Sequence, residues 1–147
     1  MKKTLSLILV CLFIFMLVGC DTGKTYYWEF DKDYTHVTEI KIIIVSSGES
    51  LDLNNYKTLK EIKLDYAEEV YDHVTSITMT RYNVSLKSPS GMCILIKFDN
   101  GEFDIIARRE SKHYKYDENG ALVGYNSWLL SKSDDFYSVI EYYLAKD

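Results

Sequence analysis

The segment that most narrows the choice of fold is Phe98-Asp99-Asn100-Gly101-Glu102-Phe103. Asn-Gly supplies the two positive φ angles of a type I′ hairpin turn, and apolar residues alternate on either side of it. A two-residue loop sets Phe98 against Phe103 and Ile96 against Ile105, and on the other face it sets Lys97 against Asp104, a favourable charge pair. A second Asn-Gly, Asn119-Gly120, lies between His113-Tyr114-Lys115-Tyr116 and Leu122-Val123-Gly124-Tyr125. The same reading there pairs Tyr116 with Val123 and Tyr114 with Tyr125. Arg109 to Lys112 is just long enough to join the two hairpins, which predicts a four-strand antiparallel meander.

Upstream, Val37, Glu39 and Lys41 alternate with Ile40, Ile42 and Ile44, and the pattern becomes continuously apolar over Ile42 to Val45. This is a strand. Thr58 to Leu64 alternates less cleanly, because Lys60-Glu61 breaks the period, and is read as a second strand, with a helix as the other reading. Tyr26-Tyr27-Trp28 reads as an aromatic-rich first strand, with rings resting at the lipid headgroup level as the other reading. Asp65-Tyr66-Ala67-Glu68 has capping-box spacing and places a helix start at Asp65, with Ala67, Val70, Tyr71, Val74 and Ile77 as its apolar stripe. Ser133 as N-cap, Asp134-Asp135 at the positive end of the dipole, and a stripe of Phe136, Val139, Ile140, Tyr143 and Leu144 make a C-terminal helix. The predicted class is α+β: a strand pair followed by a four-strand meander in an antiparallel sheet, with one central and one C-terminal amphipathic helix. Cys93, Leu95 and Ile106 fall on the predicted face of Lys97 and Asp104, so the sheet centre is apolar on both sides. Either each helix covers one face, or one face is left to a partner.

The beginning of the chain has a different character. Lys2 and Lys3 precede an apolar run, Leu5 to Val18, interrupted only by Ser6, and the first acid is Asp21. At 1.5 Å per residue, about 14 residues reach about 21 Å, short of the roughly 30 Å hydrocarbon core. This is the layout of a secretory signal. The run ends in Leu17-Val18-Gly19-Cys20, which resembles the lipobox of bacterial lipoproteins. The chain is similar in this respect to the small membrane lipoproteins that Gram-positive bacteria carry on the outer face of the cytoplasmic membrane. That resemblance rests on residues 1–20 alone and specifies no biochemical activity. It implies cleavage before Cys20, a diacylglyceryl thioether on its sulfur and a fatty acyl group such as palmitate on the new N-terminus.

On this reading residues 1–19 are a lipoprotein signal peptide, 20–25 a lipidated tether, and 26–147 a single extracytoplasmic domain. Cleavage removes two lysines and no acid, so the net charge moves from −5 to −7. An acidic domain is not drawn to nucleic-acid phosphate or to an anionic leaflet. Its membrane partner is reached through acyl chains on Cys20, each buried CH₂ contributing about 0.8 kcal/mol. Cys11 leaves with the signal and Cys20 is alkylated, so Cys93 remains alone in an apolar strand, the setting of a small core residue.

The catalytic signals are weak. His36, His73 and His113 are scattered, and Glu69 with His73 is the nearest approach to a metal pair, more often a solvated helix contact. Asp31-x-Asp33-x-Thr35 begins like a calcium loop but has His36 where the glycine belongs. Glu68-Glu69 and Asp134-Asp135 are adjacent in sequence and diverge around a helix, unlike a glycosidase pair. No catalytic residue, metal or cofactor is assigned. The expected role is a lipid-anchored binding or accessory domain for a protein partner in the cell envelope, with a solute- or glycan-binding lipoprotein or a wall-active hydrolase as alternatives. Thirteen tyrosines make recognition the natural theme. Tyr114, Tyr116 and Tyr125, on one face of the second hairpin, are the candidate contact residues, and core packing is their other reading.

Overall fold

The computed structural model describes residues 25–26, 29–46, 56–77, 79–81, 89–107, 112–130 and 133–147, with the backbone alone for 25–26, 79–81, 112, 125–130 and 133–135. Its strands are β1 (Thr25–Tyr26), β2 (Val37–Val45), β3 (Lys57–Ile62), β4 (Met79–Arg81), β5 (Gly91–Phe98), β6 (Phe103–Ala107), β7 (Lys112–Tyr116) and β8 (Leu122–Leu130). The helices are α1 (Ala67–Thr75) and α2 (Ser133–Ala145). The predicted α+β class is the observed one. The strand pair β2–β3 joins the meander β5–β6–β7–β8 through β2 and β5, all antiparallel. Two further short strands extend the far side, so the full order is β1-β4-β8-β7-β6-β5-β2-β3. β4 has three residues, too few for any periodicity to announce it.

The first hairpin turns differently from the sequence expectation. Phe98 N–H donates to Glu102 O at 2.9 Å and Gly101 N–H to Phe98 O at 3.0 Å, and Gly101 takes a φ of 84°. This is a three-residue loop, in which one left-handed glycine closes a type I turn, in place of a two-residue I′ turn. The pairing therefore slips by one: Ile96 faces Asp104, Leu95 faces Ile105 and Lys97 faces Phe103. Because side chains alternate, that slip moves every β6 side chain to the opposite face. Lys97 consequently pairs with Glu39 at 2.9 Å, not with Asp104. The second hairpin has a similar turn, with Gly120 at φ 80°, and Asp117 Oδ1 accepts from the Asn119 and Ala121 amides. Tyr114 pairs with Tyr125 as predicted, but a register shift brings Tyr116 opposite Leu122.

Helix α1 also begins differently. A 3₁₀ turn, Leu64–Tyr66, precedes it, and Tyr66 N–H and Ala67 N–H donate to the carbonyls of Lys63 and Leu64. Backbone carbonyls thus meet the leading amides and no Asp65 capping box forms. Ala67, Val70, Tyr71, Val74 and Ile77 are all buried, as their spacing requires. In α2, Phe136, Ile140 and Tyr143 are buried and Val139 is half-buried, while Leu144 faces solvent.

Both helices lie on one face of the sheet. Their buried residues form a single core with Ile40, Ile42, Ile94, Ile96, Phe98 and Ile106. The opposite face is closed as well: Ile43, Cys93, Leu95, Phe103, Ile105 and Ala107 are buried together with Tyr114 and Tyr116. The arrangement is therefore neither one helix per face nor one bare face.

Candidate functional site

Among the described residues, two clusters bring a carboxylate, a histidine and a tyrosine together. The first lies inside the fold. The one-residue slip of β6 carries Asp104 onto the helix-covered face, and His113 on β7 is register partner to Ile106, two positions along. Asp104 Oδ2 lies 2.7 Å from His113 Nε2, with the histidine fully buried and the aspartate 6% exposed. The ring of Phe30 stands edge-on to His113 at 5.3 Å and stacks on Tyr71 at 4.1 Å. Burial, together with the charges of Asp104 and Asp33, pushes the Tyr71 hydroxyl well above the usual tyrosine range. The Tyr71 hydroxyl is itself buried and accepts or donates no hydrogen bond among the described residues. An acid, an imidazole and a phenol are thus collected under α1. Their burial fits a polar anchor of the core better than a site a substrate could reach.

The second cluster lies where α1 and α2 meet at the surface. Glu69 and His73, one turn apart on α1, converge on α2: Lys146 Nζ donates to both Glu69 oxygens at 2.6 and 2.7 Å, and Tyr143 Oη lies 2.9 Å from His73 Nδ1. Lys146 also sits 3.8 Å over the Tyr66 ring. The hydrogen bond from Lys146 holds the Glu69 carboxyl below its ordinary range, and burial and Glu69 raise the Tyr143 hydroxyl. The partners contributed by α2 and the residue that follows it are a tyrosine and a lysine, so the arrangement resembles a clasp between the two helices more than an acid–base pair. Beside it Lys60, Glu61, Ile62, Lys63, Tyr66, Tyr143, Lys146 and Asp147 line a cleft of about 100 Å³. Ligand pockets are usually several times larger, about 300–1,000 Å³.

The remaining residues picked out from the sequence are placed as follows. Tyr114 and Tyr116 are buried, the latter stacked on Phe103 at 4.8 Å, and the side chain of Tyr125 lies outside the described residues. Packing is the role their surroundings display. Cys93 is buried, and burial pushes its thiol up to about 12, which disfavours the thiolate at neutral pH. Asp31 pairs with Lys115, and Asp33 accepts from the Thr35 amide to cap a 3₁₀ turn, so neither is directed at a shared cation. Among the described residues no group of three or more His, Cys, Asp or Glu side chains is placed to hold a metal ion. No described helix is long and apolar enough to cross a membrane. The signal-like run, Cys20, Tyr27 and Trp28 lie outside the described residues.

The Asp104–His113 pair was not foreseen because it depends on the loop length of the first hairpin. A three-residue reading of Asp99-Asn100-Gly101 would have put Asp104 on the face of Ile96 and exposed the clash between a lone acid and an apolar face. No known protein family, curated protein or solved structure matches the chain.

Proposed function

We propose that this chain is a lipoprotein whose folded domain is held at the outer face of the cytoplasmic membrane by acyl chains on Cys20 and serves there as a binding or accessory domain for a protein of the cell envelope. The observation that carries the reading is the order of Lys2-Lys3, the apolar run 5–18 and Leu17-Val18-Gly19-Cys20. Strand β1 starts at Thr25, five residues after Cys20, which leaves no long spacer between anchor and domain. The small cleft and the enclosed Asp104–His113 pair give less support to solute capture or hydrolysis than to recognition by the protein's surface. The test is Cys20→Ala expressed in cells. The substitution abolishes acylation and processing, and crosslinking in the native membrane followed by mass spectrometry loses the envelope protein captured by the unmodified chain. Unchanged processing, or the same protein captured by unacylated chain, contradicts the proposal.

A further inference from the structure

Between β1, at one edge of the sheet, and β2, next to the other edge, the chain crosses the helix-covered side as a strap. Among the described residues no backbone hydrogen bond ties 29–35 to another element, and the first such bond beyond them runs from Asp99 N–H to His36 O at 2.9 Å. Side chains hold the strap down. Asp31 pairs with Lys115, Lys32 pairs with Glu102 and donates to Asn100 Oδ1 at 2.8 Å, and His36 Nδ1 lies 2.9 Å from Asp99 Oδ2. Surface pairs of this kind contribute little and are screened by salt. Before the strap, β1 is an edge strand of two residues. After it, Tyr34 stands edge-on to Tyr71 and opens the 3₁₀ turn Tyr34–His36 that Asp33 caps, a fixed point about which 29–33 can swing.

The strap covers the polar part of the interior. Phe30, half-buried, reaches both Tyr71, at 4.1 Å, and His113, at 5.3 Å, and Asp104 is hydrogen-bonded to that same histidine. Among the described residues the buried Tyr71 hydroxyl has no hydrogen bond, and Asp33 of the strap is one of the two charges that act on it. Closing the strap therefore keeps water from a polar group without giving it a partner, a cost that opening removes. Withdrawal of Phe30 leaves a slot bounded by Tyr71 and His113, and Lys115, which follows His113 on the same face of β7, stands beside it. Phe30, Asp31 and Lys32 meet the slot, Lys115 and Glu102 in turn, so the strap itself displays the chemistry that fits: a ring, then an acid, then a base. Aromatic rings in desolvated slots are the usual anchors of protein recognition.

We propose that residues 29–33 open as a hinged strap, and that the slot filled by Phe30 is a docking site for an aromatic side chain of a partner protein, carried in a segment whose next two residues, an acid and a base, meet Lys115 and Glu102. The inference rests on the reading of the domain as a binding module for a protein and does not depend on acylation of Cys20. Phe30 is then an occupant from within the chain that a partner must displace, which sets a threshold on binding.

The probe is a fluorescent peptide copying residues 29–36, and its anisotropy is followed against the protein purified in mild detergent from the cells that make it. Phe30→Ala empties the slot, and Lys32→Glu sets a second acid against Glu102. Each should bind the peptide about tenfold or more tighter than the unmodified protein, whose own strap competes from within the chain. Alanine in place of the peptide's phenylalanine should abolish binding, and reversing the Asp-Lys that follows should weaken it about threefold. Circular dichroism checks that each variant is folded. Folded variants that bind no more tightly than the unmodified protein, or that bind the ring-less peptide equally well, overturn the docking site. Should neither variant fold, the unmodified protein decides: ring-dependent binding supports the site, and none at millimolar protein refutes it. Failure here leaves the binding-module reading standing if crosslinking in the native membrane still captures an envelope protein.

Discussion

Removing the Asp104 carboxylate is the sharpest test of how the interior is built. In Asp104→Ala the fully buried His113 loses the oxygen 2.7 Å from its Nε2, among Phe30, Tyr71 and the apolar side chains of β5 and β6. Removing one partner of a buried hydrogen-bonded pair costs about 1–3 kcal/mol, because the remaining group stays in a medium that solvates it poorly. Whole domains are stable by about 5–15 kcal/mol, so this is a large fraction of the total. With a urea dependence of about 2 kcal/mol per molar, the unfolding midpoint drops by roughly 0.5–1.5 M. Asp104→Leu combined with His113→Leu removes both polar groups and should recover most of the loss, since apolar replacement of a whole buried pair is often neutral or stabilising. Urea titrations of the two variants and the unmodified protein, followed by circular dichroism, make the comparison. A loss below about 1 kcal/mol for Asp104→Ala, or a double variant no better than the single one, refutes the reasoning.

Three further outcomes follow from the same structure. Gly101→Ala should destabilise the domain by about 1–2 kcal/mol, because the residue is left-handed and a Cβ there meets Glu118 Cβ at 3.1 Å; an unchanged unfolding midpoint contradicts the turn assignment. Stability should hold up to about pH 9 and then fall. Burial raises the Cys93 thiol and the Tyr116 hydroxyl to about 12 and raises Tyr71 and Tyr143 too, so the unfolded chain releases these protons first as pH rises; a flat profile to pH 11 counts against it. Cys93 should resist alkylation in the folded protein at pH 8 and react promptly in urea, and rapid labelling under native conditions would show that the second core is open.

Much of the fold is written in short-range patterns. The continuous apolar end of β2, the stripe Ala67-Val70-Tyr71-Val74 and the two Asn-Gly turns suffice to name the strand pair, the central helix and the meander in order. Less legible is what depends on a single residue of spacing. Asn-Gly serves two- and three-residue loops alike, and choosing between them decides whether Asp104 faces Lys97 or enters the core beside His113. The capping box at Asp65 gave way to a 3₁₀ turn for a comparably local reason: the carbonyls of Lys63 and Leu64 accept from the amides of Tyr66 and Ala67 at the helix entrance. The placement of both helices on one face, and the meeting of Glu69 and His73 with Tyr143 and Lys146, join segments about 70 residues apart and have no local signature. Among the candidate contact residues, Tyr114 and Tyr116 show why an alternating tyrosine face is ambiguous, since a sheet closed on both sides needs large aromatics in its interior as much as a binding surface does.

The proposed acylation of Cys20 is what would assign this domain a compartment and a class of partner, and the mass of the intact native product tests it directly. The account predicts a chain that begins at Cys20 and carries a diacylglyceryl group, with or without a third acyl chain. A chain that retains Met1, or one that begins elsewhere and bears no added lipid, contradicts it.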